Sequence, residues 1–183
     1  MNRPPLLLLA GTSESGKSTA GAYLAGRGAH RVKIRTILTT LTSGIPAVHE
    51  GVPMREGFEH AEFVDRMLHL PIPDGRRAVL VESFIDTDLA EATRRAWPDR
   101  CWIVFITATR TTRLQRLTAD RQLSTEQAAA VLDAKDARKR VTEQLDLWRA
   151  IADRWIDNDT GRAEFLDQLD RTLDQLTRHE GVA

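Results

Sequence analysis

Short runs of apolar residues recur along the chain, separated by longer stretches in which apolar residues are spaced as on one face of a helix. The run Leu6–Ala10 is continuous, as expected of a strand buried on both faces of a parallel sheet. The runs Ala78–Val81 and Cys101–Ile106 predict two more such strands. Shorter patterns at Arg31–Ile34 and Trp155–Ile156 predict a fourth and a fifth.

Helical patterns lie between and after these strands. Apolar residues from Phe58 to Leu68 share one helical face, Leu114 and Leu117 mark a second helix, and residues 128–132 a third. Phe165–Leu176 predicts a closing amphipathic helix, and the stretches 44–57 and 71–77 predict loops. Alternation of strands and helices indicates an α/β fold, a three-layer α/β/α sandwich around a central five-stranded parallel sheet.

One motif follows the first predicted strand directly. Residues 11–18, the P-loop below, read Gly11-Thr12-Ser13-Glu14-Ser15-Gly16-Lys17-Ser18 and match G-x-x-x-x-G-K-[ST] at every fixed position. The match opens a predicted helix, Lys17–Leu24, whose N-terminus adds partial positive charge to a ring of inward N–H groups. In such loops the lysine reaches the β- and γ-phosphates and the last hydroxyl, here Ser18, binds Mg²⁺. The sequence therefore predicts a P-loop NTPase fold with a nucleoside-triphosphate site.

A second informative region is basic. Residues 107–140 hold an excess of basic side chains, among them Arg113 and Arg116 on one helical face and, further along, Arg121. Phosphoryl transfer needs cations that close over the triphosphate, so this region predicts a helical lid. The alternative is a solvated, charged helix pair without a catalytic role.

Three acids follow the strand Ala78–Val81, at the sheet edge where α/β proteins bind ligands. Glu82 comes directly after the strand and predicts a carboxylate that holds water on Mg²⁺ or accepts a proton from the acceptor. Asp86 and Asp88 instead favour capping of the next helix.

Length and composition bear on the number of domains, on nucleic-acid binding and on the location of the protein. The chain has 183 residues, which fits one domain, and its 26 basic and 26 acidic residues give no net charge. Bulk electrostatic binding of nucleic acid is therefore not expected. The single cysteine cannot form an intramolecular disulfide, and no apolar run is long enough to span a membrane, so we expect a cytoplasmic protein.

The P-loop and the basic region together resemble the P-loop small-molecule kinases, the nucleoside-monophosphate-kinase and dephospho-CoA-kinase-like group. The P-loop carries the resemblance, together with the Arg-x-x-Arg of residues 113–116 and the segment Ala152–Gly161, which is similar to the dephospho-CoA kinase tail. The resemblance implies that Lys17, Ser18 and Thr19 bind phosphate and Mg²⁺. It also implies lid roles for Arg113, Arg116 and Arg121, and places Asn158 and Asp159 beside the base.

The sequence departs from this group after the second strand. Dephospho-CoA kinases carry an aspartate there as catalytic base, whereas this chain reads Lys33-Ile34-Arg35-Thr36-Ile37. An arginine at this place is more like monophosphate kinases, so Arg35 and Arg55 are candidates for an anionic acceptor.

The expectation is one kinase domain with a core at 1–42, 76–112 and 150–183, an acceptor-binding insertion at about 43–75 and a lid at about 113–149. It would move the γ-phosphate of Mg·ATP to a small-molecule acceptor, such as a nucleotide or a coenzyme- or antibiotic-like metabolite, as a monomer or homodimer. The candidate catalytic residues are Lys17, Arg113, Arg116 and Glu82, and the candidate nucleotide-binding residues are Gly11, Thr12, Ser13, Glu14, Ser15, Gly16, Lys17, Ser18, Thr19, Arg121 and Asn158. The alternative is a nucleotide-binding switch or regulatory NTPase that acts through a protein partner.

Overall fold

Five parallel strands form the centre of the computed structural model, which describes residues 3–41, 59–84, 86–98, 100–140 and 142–178. The strands are β1 (Leu6–Gly11), β2 (Ala29–Lys33), β3 (Ala78–Phe84), β4 (Cys101–Thr107) and β5 (Arg154–Asp157). Their order in the sheet is β2-β3-β1-β4-β5, so β1 lies in the middle with β3 and β4 at its sides. The P-loop therefore leaves the centre of the sheet at its carboxyl edge.

Helices cover both faces of the sheet. They are α1 (Lys17–Gly26), α2 (Ile34–Leu38), α3 (His60–Leu68), α4 (Thr87–Ala96), α5 (Arg110–Arg121), α6 (Thr125–Lys139), α7 (Leu145–Ile151) and α8 (Arg162–Thr177), with a 3-10 turn at Thr142–Gln144.

Alternate strand side chains divide the core into two layers, because successive residues of a strand point to opposite faces. Leu6 and Leu8 of β1 pack with α2, α3, α4 and α7, whereas Leu7 and Leu9 pack with α1 and α8. The three-layer sandwich predicted from the sequence is thus confirmed. A third, smaller cluster, Leu117, Ala128 and Leu132, joins α5 to α6 in what we call the basic hairpin, residues 110–139.

A bulge at Ser83 adjusts the end of β3. Leu9 pairs with Glu82 and Ala10 with Phe84, so Ser83 is skipped, and its φ of 74° lies in the left-handed region. The extra residue moves Phe84 into the layer of α2 and α3, while Glu82 keeps the side of Leu80, which faces α1.

All five predicted strands are present, with corrected ends. Glu82 lies inside β3 rather than after it, and Ile34 begins α2 rather than ending β2. The capping prediction for Asp86 is confirmed, since its carboxylate accepts a hydrogen bond from the N–H of Leu89 at 2.8 Å. The sequence patterns did not single out the short helices α2 and α7. No helix of the described residues is both long and apolar enough to cross a bilayer.

Much of the predicted acceptor-binding insertion, including Arg55, lies outside the described residues. Its described part holds α3, which packs against α2 and α4.

Candidate active site

The two fixed glycines of the P-loop are required by close backbone approaches. Gly11 has a φ of 139°, and a Cβ built on it would lie 2.0 Å from the carbonyl oxygen of Ile106 in the neighbouring strand. Gly16 has a φ of 103°, and a Cβ there would lie 2.4 Å from Nδ2 of Asn158. A side chain at either position would be strained and would clash. These glycines let the loop fold tightly between β4, the segment after β5 and α1.

Lys17 occupies the interior of this loop. Its side chain is buried, with the residue 6% exposed, and its ammonium donates to the carbonyl oxygens of Gly11, at 2.9 Å, and Thr12. Burial and, after it, the nearby positive charge of Lys139 together lower the pKa of Lys17 to about 7. The neighbouring residues Ser18 and Thr19 begin the first turn of α1 and are exposed.

The donor groups of the loop suit a phosphate. The hydroxyl oxygens of Thr12 and Ser13 are buried and form no hydrogen bond within the described part of the chain. They lie beside the buried Lys17 and the N-terminus of α1, the combination of donors and partial positive charge that binds phosphate groups. The exposed hydroxyl of Ser18 is an oxygen ligand of the kind that Mg²⁺ takes.

Arginines from α5 bind the outside of the P-loop. Arg113 donates to the carbonyl oxygen of Ser13 at 3.3 Å. Arg116 donates to the carbonyl oxygens of Asn158 at 2.6 Å and Ser15 at 3.4 Å. Both arginines thus contact the backbone of the P-loop.

Two residues that follow β5, Asn158 and Asp159, hold α5 beside the P-loop. Asp159 accepts hydrogen bonds from the backbone N–H of Thr109, the N-cap of α5, at 2.9 Å and from its hydroxyl at 3.1 Å. Asn158 is buried and donates to the carbonyl oxygen of Ser15 at 2.8 Å. Both side chains therefore brace the loop and the hairpin. Arg121 ends α5 on the exposed surface. Burial would raise the pKa of Glu14, but its hydrogen bond to Lys135 and the charges of Lys135 and Arg121 hold that pKa below its ordinary value.

The second helix of the basic hairpin also meets the P-loop. Lys135 of α6 forms an ion pair with Glu14, a P-loop residue whose φ of 59° lies in the left-handed region. The neighbouring Asp136 accepts from Arg113 at 2.7 Å and so ties α6 to α5. Sequence reasoning placed Lys135 in a basic region without a role, because 121 residues separate it from Glu14. The available signal was its position on the same helical face as the buried Ala128 and Leu132.

Glu82 lies under α1 in an ion pair that sequence reasoning missed. Its carboxylate is 2% exposed and accepts from Arg31 Nε at 2.9 Å, while Arg31 Nη2 lies 2.8 Å from the same oxygen. Arg31 also donates to the carbonyl oxygen of Ser18 at 3.4 Å. A Cβ at Gly21 would lie 2.2 Å from Glu82, so the glycine in α1 makes room for the pair. Glu82 is therefore close to the first turns of α1, with its charge already balanced by Arg31.

The side of the sheet beyond β2 carries exposed cations. Arg35 is exposed on α2. A groove of about 590 Å³ lies between β2, α2 and the end of α3, and Lys33, Arg66 and His69 are among the residues that line it.

Comparison with solved structures identifies the fold. The chain is similar to a gluconokinase from Sinorhizobium meliloti 1021, with a TM-score of 0.62 and 18% identity over 97% of this chain and 96% of that one. It is also similar to the shikimate kinase from Acinetobacter baumannii in complex with shikimate, with a TM-score of 0.56 and 19% identity over 98% of this chain and 96% of that one.

A third structure, the dephospho-CoA kinase from Campylobacter jejuni, gives a TM-score of 0.50 and 13% identity over 96% of this chain and 98% of that one. At such identities the likeness establishes the fold, and that fold is the one of the P-loop small-molecule kinases. No protein-family model matches the sequence, and neither does any curated protein.

Proposed function

We propose that this protein is a kinase that moves the γ-phosphate of Mg·ATP to a small-molecule acceptor. The observation that carries the proposal is the buried ammonium of Lys17 inside a P-loop that Arg113 and Arg116 bind from outside. The names of the three similar structures, all kinases of small molecules, support it.

The P-loop would bind the donor. Lys17 and the backbone N–H groups of residues 11–18 would bind its phosphates, and the exposed Ser18, followed by Thr19, would hold Mg²⁺. The ion, when bound, neutralises charge on the phosphoryl group being transferred. Arg113 and Arg116 would add positive charge beside the loop, so the protein's part is positioning and electrostatics rather than covalent chemistry.

The basic hairpin, residues 110–139, would form most of the lid predicted at about 113–149. Arg113, Arg116 and Lys135 contact the P-loop, so the hairpin would cover one side of the donor site. Excluding water there favours transfer to the acceptor over hydrolysis of ATP. Asn158 and Arg121 would border the nucleotide from the remaining sides.

The acceptor would approach from the side of β2 and the segment of about 43–75. The exposed Arg35 on that side suits an anionic acceptor, since the guanidinium fork matches phosphate geometry. Arg55, which lies outside the described residues, is proposed for the same role from the sequence. Glu82 lies between this side and α1, in an ion pair with Arg31. Once that ion pair opens, its carboxylate would hold water on Mg²⁺ or take the acceptor's proton.

The test is an acceptor screen that measures ADP release from Mg·ATP. The panel holds nucleosides, nucleoside monophosphates, dephospho-CoA, gluconate, shikimate and amino sugars. We expect one class to raise turnover at least about tenfold above ATP alone, and Lys17→Ala to remove at least about 99% of that turnover. The exposed variant Arg178→Ala is the matched control and should keep wild-type turnover.

Two results would count against the proposal. Full turnover in Lys17→Ala would contradict the P-loop assignment. ATP hydrolysis that no acceptor stimulates, but that a protein partner does, would favour the switch.

A further inference from the structure

One face of α6 carries both its core residues and three charged side chains. Ala128 and Leu132 pack against Leu117 of α5, and Lys135, Asp136 and Lys139 follow on the same face at helical spacing. The apolar contact therefore fixes which way these charged side chains point. They point toward α5 and the P-loop.

Two contacts pin this face to the P-loop. Lys135 pairs with Glu14, and both side chains are mostly buried, at 21% and 29% exposed. Asp136 pairs with Arg113, which itself donates to the carbonyl oxygen of Ser13. Lys139 follows Lys135 by four residues, about one helical turn, and therefore lies next to it on the helix. The two contacts thus place Lys139 on the face of α6 that meets the P-loop.

Lys139 differs from its neighbours in having no partner there. It is half-buried and forms no hydrogen bond or ion pair with the described residues. Burial lowers its pKa, as does the charge of Lys135, whereas Glu14 and Asp136 act in the opposite direction. After burial, the positive charge of Lys139 is the next cause that lowers the pKa of Lys17.

The local charges do not balance. Lys17, Arg113, Arg116, Lys135 and Lys139 surround the loop, and the carboxylates of Glu14 and Asp136 are the acids among these contacts. Excluding like charges from water is unfavourable unless an anion joins them. A triphosphate carries the compensating charge.

We propose that Lys139 is a phosphate-binding residue of the donor site, which Lys135 and Asp136 hold opposite Lys17, and that it selects triphosphate over diphosphate. The inference rests on the proposed function, since it takes the P-loop ligand to be a nucleoside triphosphate. It assigns this role to one residue on the second helix of the hairpin, whereas the lid residues singled out from the sequence, Arg113, Arg116 and Arg121, all lie on α5.

The experiment measures binding without any acceptor. The dissociation constants of Mg·AMPPNP and Mg·ADP are determined by calorimetry for the wild type and for Lys139→Met, which keeps the length of the side chain and removes its charge. We expect Lys139→Met to weaken Mg·AMPPNP at least about tenfold and Mg·ADP less than about threefold, since one charge-assisted contact to the last phosphate is lost. Lys139→Arg should restore the wild-type ratio.

Arg138→Met is the matched control, because Arg138 is the exposed neighbour on the same helix and the variant loses the same charge. It should change both constants by less than about twofold, as expected of screened surface charge. Thermal unfolding of the ligand-free proteins gives a second readout. Lys139→Met should unfold at the wild-type temperature or above it, because it removes a repelled ammonium group.

The outcomes separate the inference from the proposed function. If Lys139→Met leaves the ratio of the two dissociation constants unchanged, the inference alone is overturned. This holds whether both constants keep their wild-type values or both weaken equally together with a lower unfolding temperature. A wild type that binds neither nucleotide, with Lys17→Ala indistinguishable from it, overturns the proposed donor site as well.

Discussion

The two sides of α1 are built in different ways. On the P-loop side, most contacts are made by the backbone. Gly11 and Gly16 allow close approaches that a Cβ would block, and arginines donate to the carbonyl oxygens of the loop. On the β2 side, one buried ion pair between Arg31 and Glu82 fills the space beside Gly21. The first arrangement tolerates almost no change of residue, whereas the second depends on two side chains that compensate each other.

The difference bears on function. A loop that binds phosphate through N–H groups requires a fixed backbone, and the same loop serves any acceptor. The β2 side would meet the acceptor. Exposed side chains there, such as Arg35, can change without disturbing the P-loop, whereas Arg31 also donates to the carbonyl oxygen of Ser18. Differences in acceptor among proteins of this fold are therefore expected on the β2 side.

The largest effect should come from breaking the backbone approach at Gly11. Gly11→Ala forces a Cβ to within 2.0 Å of the carbonyl oxygen of Ile106 at a φ of 139°. We expect a loss of more than about 3 kcal/mol in the free energy of unfolding, measured by urea denaturation. Gly26→Ala is the control, since nothing lies within 4 Å of a Cβ there, and it should be neutral or stabilise by up to about 1 kcal/mol. Equal stability of the two variants would refute the backbone account.

The contrast also explains what could be predicted from the sequence. The P-loop is a contiguous motif between a strand and a helix, so its residues could be assigned without the structure. The three central strands, β1, β3 and β4, were recognisable because buried parallel strands are largely continuous apolar runs. The edge strands β2 and β5 are partly exposed and gave only short patterns. Ile34 was assigned to a strand because it extends an apolar pattern, yet the chain turns into α2 at that residue.

Long-range pairs could not be predicted in the same way. Arg31 and Glu82 are 51 residues apart, and Lys135 and Glu14 are 121 apart. Which charges meet depends on strand order and on the side to which each residue points. The bulge at Ser83 adds to this, because it alters the alternation at the end of β3. Nothing local distinguishes Arg31 from the other arginines of the chain.

A smaller effect is expected on the β2 side, from removing one member of the ion pair. Arg31→Met leaves the 2%-exposed carboxylate of Glu82 without its cation, and we expect about 2 kcal/mol of destabilisation by urea denaturation. The double variant Arg31→Met, Glu82→Gln should recover part of that loss, because no buried charge remains.

The control for this pair is an ion pair on the surface. Arg77→Met removes one of the two arginine partners of Asp174, in an ion pair whose side chains are both more than 40% exposed. It should change stability by less than about 0.5 kcal/mol. If the double variant is less stable than Arg31→Met alone, compensation between Arg31 and Glu82 is the wrong description of this side.

The smallest effect concerns the pH dependence of stability on the P-loop side. Burial lowers the pKa of Lys17 to about 7, below its ordinary value of 10.5 in the unfolded chain. Between these values the unfolded state binds more protons, so this lysine makes stability rise with pH, by at most about 1.4 kcal/mol per pH unit. Comparing wild type with Lys17→Met by urea denaturation at pH 6, 7 and 8 isolates the effect, since all other groups are shared. We expect the difference in unfolding free energy to shift in favour of the wild type by about 1 kcal/mol from pH 7 to 8, and by less from pH 6 to 7. A difference that stays constant with pH would mean that the ammonium of Lys17 is not desolvated inside the loop.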